Sequence, residues 1–437
     1  MDYLSLAQYT PELEHANSIA ASFEAFDASS LSGTTQVDHA TYRPHVPRIR
    51  SQLTSAAEIH ALGPADSVPS YEFFFIYKHL VHDEDAPVPE DANKLRVSRS
   101  SFEALATRLR IPPAFVFALS RHYLPNGRGS RKLRLSDGSV AFDFWYFLPI
   151  RVQVKVTSRQ GKAAASEPDD GERPGQMNPF HRLHLPAVKL SILRSCVAVF
   201  SRVQPGARKV TFMAVDFMHG RWPSVALEPQ QRIDEVMQRA GGSLDGDGHF
   251  AHLVYLSSAV RWWTNALNSV NEQLIAHELR LTTALGGHDG ALPPLETELT
   301  NISRALHSIA AHLHRYLSEL RSVQSIAADL LSHYECVHAD RPTTEADRDR
   351  FGDASRSTCQ VLSQIEATHD FAKELEKKTQ NILALLFNRI QIDSAKASHT
   401  LAEEMKRDSV VMRSIAIVTM FFLPGATFAV SSDARGP

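Results

Sequence analysis

The chain has 437 residues, of which 43% are hydrophobic and 22% charged, enough for two or three folded units with cores of their own and incompatible with global disorder. Lys and Arg number 46 against 49 Asp and Glu, a formal net charge of −3, so no polycationic field marks the chain for nucleic acid. The cysteines, Cys196, Cys336 and Cys359, are far apart and odd in number, which argues against a disulfide scaffold and suits a reducing compartment.

The first residues, MDYLSLAQYTPELEHANS, hold no basic segment followed by an apolar run, so neither a secretory signal nor a transit peptide is expected. Residues 1 to about 140 read as short helical patterns and turns. Phe102, Leu105, Leu109, Phe115 and Leu119 have helical spacing interrupted at Pro112 and Pro113, which predicts two helices. Residues 142–156 are aromatic and β-branched, with Val152, Val154 and Val156 alternating, and predict a strand. A Gly-, Pro-, Ala- and charge-rich stretch at about 158–179 predicts an exposed linker. Two apolar runs, 187–193 and 196–203, parted by Arg194 and Ser195, predict a hairpin, and 209–215 a further strand.

From about residue 228 the helical period takes over. Pro229 suits a helix start before a segment ending near Arg239, and 249–281 predicts a longer helix. Leu295, Leu299, Ile302, Leu306, Ile309, Leu313, Tyr316, Leu320, Val323, Ala327, Leu330, Tyr334 and Val337 alternate steps of four and three, the spacing of a coiled-coil seam. After the polar bend at 338–353 a second long helix is predicted from about Ser355, with an apolar stripe of Leu375, Ile382, Leu386, Ile390, Ala397, Leu401 and Met405. Its end is different in character. No charge occurs from Ser414 to Ser432, and Ile415 to Val430 is almost wholly apolar. Sixteen such residues rise about 24 Å as a helix, against a hydrocarbon core of about 30 Å, so the Ser and Thr flanks are needed to span. Lys406, Arg407 and Arg413 precede the run and would hold everything before them in the cytoplasm.

The expected fold class is therefore α+β: a cytosolic α/β domain at 1–285, a long coiled-coil-like helical hairpin or stalk at 286–412, one transmembrane helix at 413–432, and a tail at 433–437. Constellations for catalysis are missing. His181 and His184 form H-x-x-H without a third ligand, and Asp245 and Asp247 start a calcium-like loop whose twelfth position is Leu256 instead of Glu. His307, His312 and His314 flank the seam, Cys336 and His338 are isolated, and Asp83, Glu84 and Asp85 read as a solvated run. Trp262 and Trp263 read as core. With no Gly-rich phosphate loop, G-x-S-x-G or H-E-x-x-H, no enzyme and no cofactor are expected.

Residues 381–424, NILALLFNRIQIDSAKASHTLAEEMKRDSVVMRSIAIVTMFFLP, resemble the last cytosolic helix and first transmembrane helix of CorA-like magnesium transporters, especially the divergent fungal branch. The densest pieces are LLFNRI, KRDS with the M-[RK]-x-I-A stretch, and TMFFLP; FWYFLPIRVQV and RWWTNALNSVNEQL are similar to the cytosolic part of those proteins. The resemblance implies a homo-oligomer, a pentamer in that family, with Mg²⁺ as the transported ion and the membrane as its place of work. It also implies that Met412, Ile415 and Leu423 line a hydrophobic constriction of the pore, for which their shared helical face is suited. Two departures stand beside it. Pro424 to Phe428 hold one residue more than the family's P-x-[TS]-F, and AVSSDARGP stands where Gly-Met-Asn and a second membrane helix would follow; the QMN at Gln176 to Asn178 is coincidence. This polypeptide alone is therefore expected not to form a selective magnesium pore. The alternatives are a non-transporting CorA-like coiled-coil protein that acts as partner or regulator of full-length subunits, and a soluble helical protein that buries its last apolar run.

Overall fold

The computed structural model describes the chain apart from residues 1–22, 25, 45, 63–69, 81–92, 120–126, 136–137, 156–179, 220–221, 242–243, 245–246, 286–295, 340–344 and 434–437, and leaves out the side chains of 47, 283–285, 296, 345–347 and 421–433. The expected linker at 158–179 and the acidic run at 83–85 lie outside the described residues. The strands are β1 (Val37–Arg43), β2 (Val46–Leu53), β3 (Ser70–Ile76), β4 (Gly129–Arg134), β5 (Val140–Lys155), β6 (Arg182–Leu185), β7 (Leu190–Gln204) and β8 (Lys209–Asp216). They form one sheet in the order β2-β1-β3-β8-β7-β5-β4, with β6 beside the first residues of β7. Among the described strand pairs only β3 and β8 run parallel.

The helices are α1 (Ala56–Ala61), α2 (Arg99–Leu109), α3 (Pro113–Leu119), α4 (Pro223–Ala226), α5 (Glu228–Arg239), α6 (His249–Leu285), α7 (Glu296–Ala339) and α8 (Glu345–Asp433). The chain divides into two compact units, Met1–Gln273 with His307–Lys377, and Leu274–Leu306 with Lys378–Pro437. Each unit draws on separated stretches, whereas the sequence pattern divides the chain at 285/286. An α+β fold with a large sheet and long helices is what the structure has.

In the first unit the sheet is covered on both faces. Tyr71, Phe73, Phe75, Tyr146, Leu148, Val199 and Phe212 share one core with Ile233 of α5, Tyr255 of α6, Val323, Ala327 and Leu330 of α7, and Val361 of α8. Phe74, Ile76, Trp145, Phe147 and Phe200 point to the other face and meet Phe102 and Leu105 of α2 and Phe115 of α3. A central strand buried on both sides has no polar face, which is why β5 reads as a continuous aromatic run instead of an alternation. The heptad seam is used in the same way. Leu313, Tyr316, Leu320, Val323, Ala327 and Leu330 are all buried within the chain.

Two expectations need correction. Residues 37–76, read as turns and short helices, supply three strands of the sheet. The expected hairpin at 187–203 is the single strand β7, which runs straight through Arg194 and Ser195. Arg194 and Ser195 looked like a turn because the partner of Arg194 is remote. Arg194 stands opposite Arg151 in the β5–β7 register, and two facing cations would drive the strands apart. Glu319 of α7 resolves the conflict. It accepts from Arg151 at 2.8 and 2.9 Å and lies 3.3 Å from Arg194 and 3.2 Å from Arg315. Arg151 also donates to the Phe180 carbonyl at 2.6 Å and stacks over Tyr316, 4.6 Å from its centroid.

Burial by itself would push the Glu319 carboxyl up, yet Arg151, Arg194 and Arg315 hold it below the usual carboxylate range. Glu319 is thus ionised among three cations and fastens α7 to the middle of the sheet. Breaking a buried ion pair from one side leaves an uncompensated charge and costs about 3–5 kcal/mol. Glu319→Ala is expected to lose stability on that scale in urea unfolding, with Glu319→Gln losing less because it keeps an acceptor. The fluorescence of Trp263, whose ring lies 5.3 Å from Tyr316, reports the transition.

Candidate functional site

The second unit contains the outer part of α8, and its side chains divide sharply by environment. Leu375, at the end of the first unit, and Ile382 and Leu386 in the second are buried. From Phe387 onward the apolar side chains are exposed: Ile390 41%, Leu401 59%, Met405 66%, Met412 70%, Ile415 54% and Met420 79%. The stripe expected on this helix is therefore covered in its first half and bare in its second. At about 100° per residue, Leu401, Met405, Met412 and Ile415 fall within about 80° of one another. Lys406, Arg407 and Arg413 are exposed and lie off that stripe. So many bare apolar side chains on one helix exceed the scattered exposure normal for a monomer in water.

The helix continues unbroken through Pro424 to Asp433. Among the described residues no helix is long and apolar enough to cross a membrane. The side chains of 421–433, and with them Leu423 of the three pore-lining candidates, lie outside the described residues. Met412 and Ile415 are one turn apart and both exposed.

A second polar site, not foreseen from the sequence, lies in the first unit where α6 begins. Gly248 allows the close approach, since a Cβ there would stand 2.6 Å from Val210 Cγ1. Asp247 Oδ1 accepts from the His249 backbone N–H at 2.8 Å, and its Oδ2 accepts from the Tyr334 hydroxyl at 3.0 Å. His249 Nε2 is 2.6 Å from the Thr358 hydroxyl, and its ring stacks on Tyr334 at 4.2 Å. His252 lies 3.1 Å from the Tyr146 hydroxyl and 2.9 Å from that of Ser201. His333 stacks on Phe144 at 4.9 Å. Burial pushes His249 and His333 down to about 4 and His252 well below its ordinary value. The cluster is a set of neutral imidazoles serving as hydrogen-bonding and stacking groups between sheet and helices. No signal in the sequence joins them, because His333 is some eighty residues from the other two and each sits in an apolar helical pattern.

The other singled-out residues are structural in their contacts. His184 approaches the Ser191 hydroxyl at 3.3 Å, His338 stacks on Phe351 at 4.4 Å, and His314 lies 3.9 Å from Glu376. His312 is buried beside Tyr316 and Phe180. Trp263 donates to the Pro149 carbonyl at 3.1 Å, within the core. Asp245 lies outside the described residues, while Asp247 caps α6 as above. Among the described residues no group of three or more His, Cys, Asp or Glu could hold a metal ion. No family model matches this sequence, and no curated protein matches it significantly.

The buried titratable groups set a pH dependence. The unfolded chain protonates its histidines near 6.5, whereas His249 and His333 resist until about 4. The unfolded state therefore binds more protons in that window, and stability falls as pH drops from 6.5 towards 4. Asp216 opposes this: burial raises it to about 7, so it takes up a proton on folding between about 4 and 7. Three histidines outweigh one aspartate, so a net acid weakening is expected in thermal melts between pH 7 and 4.5. His333→Phe, which keeps a ring over Phe144, should make the decline shallower. Asp216→Asn, which keeps the acceptor for the Met218 N–H at 2.7 Å, should make it steeper. Unchanged slopes in both variants would contradict the assignment.

Proposed function

We propose that this chain is a membrane-bound subunit of the CorA-like type, with its sheet-containing part in the cytoplasm and the last part of α8 in the membrane, working in the transport of a divalent cation such as Mg²⁺. The observation that carries the reading is the change of environment along one uninterrupted helix. Up to Leu386 the apolar side chains of α8 are buried, and beyond it they stand bare in a row that leads into the uncharged run at 414–432. Neighbouring subunits and lipid are the covers that such a row calls for. The basic residues Lys406, Arg407 and Arg413, placed just before the run, favour a cytoplasmic origin for it. In this reading Met412 and Ile415 form an apolar ring that gates by dewetting, which suits an ion that parts reluctantly from its water.

The alternative is a non-transporting CorA-like coiled-coil protein that acts as partner or regulator of full-length subunits; it draws less support, because the seam positions from Ile302 to Leu330 are buried within the chain. Alkaline carbonate extraction of membranes from cells making the full chain provides the direct test of membrane attachment. The protein is expected to stay in the pellet, and Ile417→Lys with Phe422→Lys to release it; recovery of the unaltered chain in the supernatant would sink the proposal. Transport itself is read with a Mg²⁺-sensitive dye trapped in vesicles carrying the purified assembly. Met412→Asp with Ile415→Asp is expected to raise the leak by keeping the constriction wet, and an identical flux in both would remove these residues from the pore.

A further inference from the structure

At about 100° per residue, Met412, Ile415 and Thr419 fall within about 60° of one another, with Thr419 between the other two in angle and about 6 Å beyond Ile415 along the helix. All three side chains are exposed. Thr419 is thus a hydroxyl on an otherwise apolar stripe, inside the uncharged run that begins at Ser414. Ser414, the nearest other hydroxyl along this part of α8, stands about 140° away around the helix.

The proton of Thr419 is already committed. Its Oγ1 donates to the Ile415 carbonyl at 2.8 Å and shares that proton with the Ala416 carbonyl at 3.0 Å, a three-centre bond back to the preceding turn. A hydroxyl has one proton and two lone pairs, so what remains for the surroundings is an acceptor. The back-bond also satisfies the donor whose burial in an apolar layer would be costly.

An oxygen that only accepts distinguishes the two signs of ion without carrying a charge. Water on a cation is held by its oxygen and turns its hydrogens outward, so a hydrated cation is a surface of donors that Thr419 can receive. Water around an anion is held by a hydrogen and presents oxygen, for which the committed hydroxyl has no proton to give. Mg²⁺ is the clearest case among cations, because it parts reluctantly from its waters.

We infer that Thr419 is a cation-selecting residue, an inference that rests on the proposed reading of α8 as a pore-lining helix. Repeated in each copy around the pore, its hydroxyl forms a ring of acceptors just past the apolar constriction at Met412 and Ile415, and this ring receives the water shell of a hydrated divalent cation. The apolar side chains control whether water enters. Thr419 discriminates between the hydrated ions that this water carries.

The test uses the purified full-length protein in vesicles of neutral lipid loaded with a Mg²⁺-sensitive or a chloride-sensitive dye, compared at equal amounts of inserted protein. The unaltered chain is expected to admit Mg²⁺ and not chloride. Thr419→Val keeps the shape and removes the oxygen, and should slow Mg²⁺ entry about tenfold. Thr419→Ser keeps the acceptor and should restore entry. Ser414→Ala deletes the hydroxyl that donates to the Val410 carbonyl at 2.9 Å away from the stripe, and should leave entry unchanged. Equal Mg²⁺ entry in the unaltered chain and Thr419→Val would overturn the inference while leaving the pore standing. So would chloride entry matching that of Mg²⁺, or a loss in Thr419→Ser or Ser414→Ala as large as in Thr419→Val. Mg²⁺ entry no faster than into protein-free vesicles would overturn the pore reading and this inference with it.

Discussion

One buried carboxylate holds the first unit together. Glu319 sits fully buried between Arg151 of β5 and Arg194 of β7, with Arg315 a turn before it on α7. Without it, two guanidinium groups would face each other across neighbouring central strands, Arg151 fully buried and Arg194 nearly so. With it, the repulsion becomes a three-way attraction, and a helix far away in sequence is fixed to the sheet at a definite height and rotation. That placement brings Val323, Ala327 and Leu330 onto the sheet core and His333 onto Phe144. It also sets α7 as the wall of a groove beside β4. A hydrophobic contact alone would tolerate sliding along the sheet; a buried charge with directional partners does not.

The helices then divide their apolar faces between two uses. α7 and the early part of α8 spend theirs on covering the sheet, so the regular heptads of α7 are consumed inside the molecule. Among the described residues the outer part of α8 has no such cover, and its exposed apolar side chains from Phe387 to Met420 are the feature that the proposed membrane role accounts for. Heptad periodicity reports only that a helix has one buried side. What buries it is decided by the rest of the chain.

Much of this was readable in advance, and the misses have common physical causes. β5 and β8 were legible because apolar β-branched and aromatic residues run through them without a break. The long helices were legible from their spacing, and α8 from the absence of proline before Pro424. β1 and β2 carry charge as outer strands of the sheet and resembled surface turns. β7 was cut in two at Arg194 because the residue that makes its charge tolerable lies at 319. The histidine cluster was hidden for the same reason, its members meeting only through tertiary packing. The pore-lining candidates rest on resemblance alone, and the structure adds only that Met412 and Ile415 are bare on the stripe that also carries Leu401 and Met405.

In the proposed membrane role α8 passes from protein cover, through an exposed stretch, into lipid. A cysteine-accessibility scan in native membranes addresses it most directly, using a chain whose own cysteines have been replaced and single cysteines placed at Met405, Met412, Ile417 and Met420. If the proposed membrane role holds, a membrane-impermeant maleimide labels position 405 on the cytoplasmic side, with 417 and 420 protected until detergent is added. Equal labelling at all four positions without detergent would contradict it.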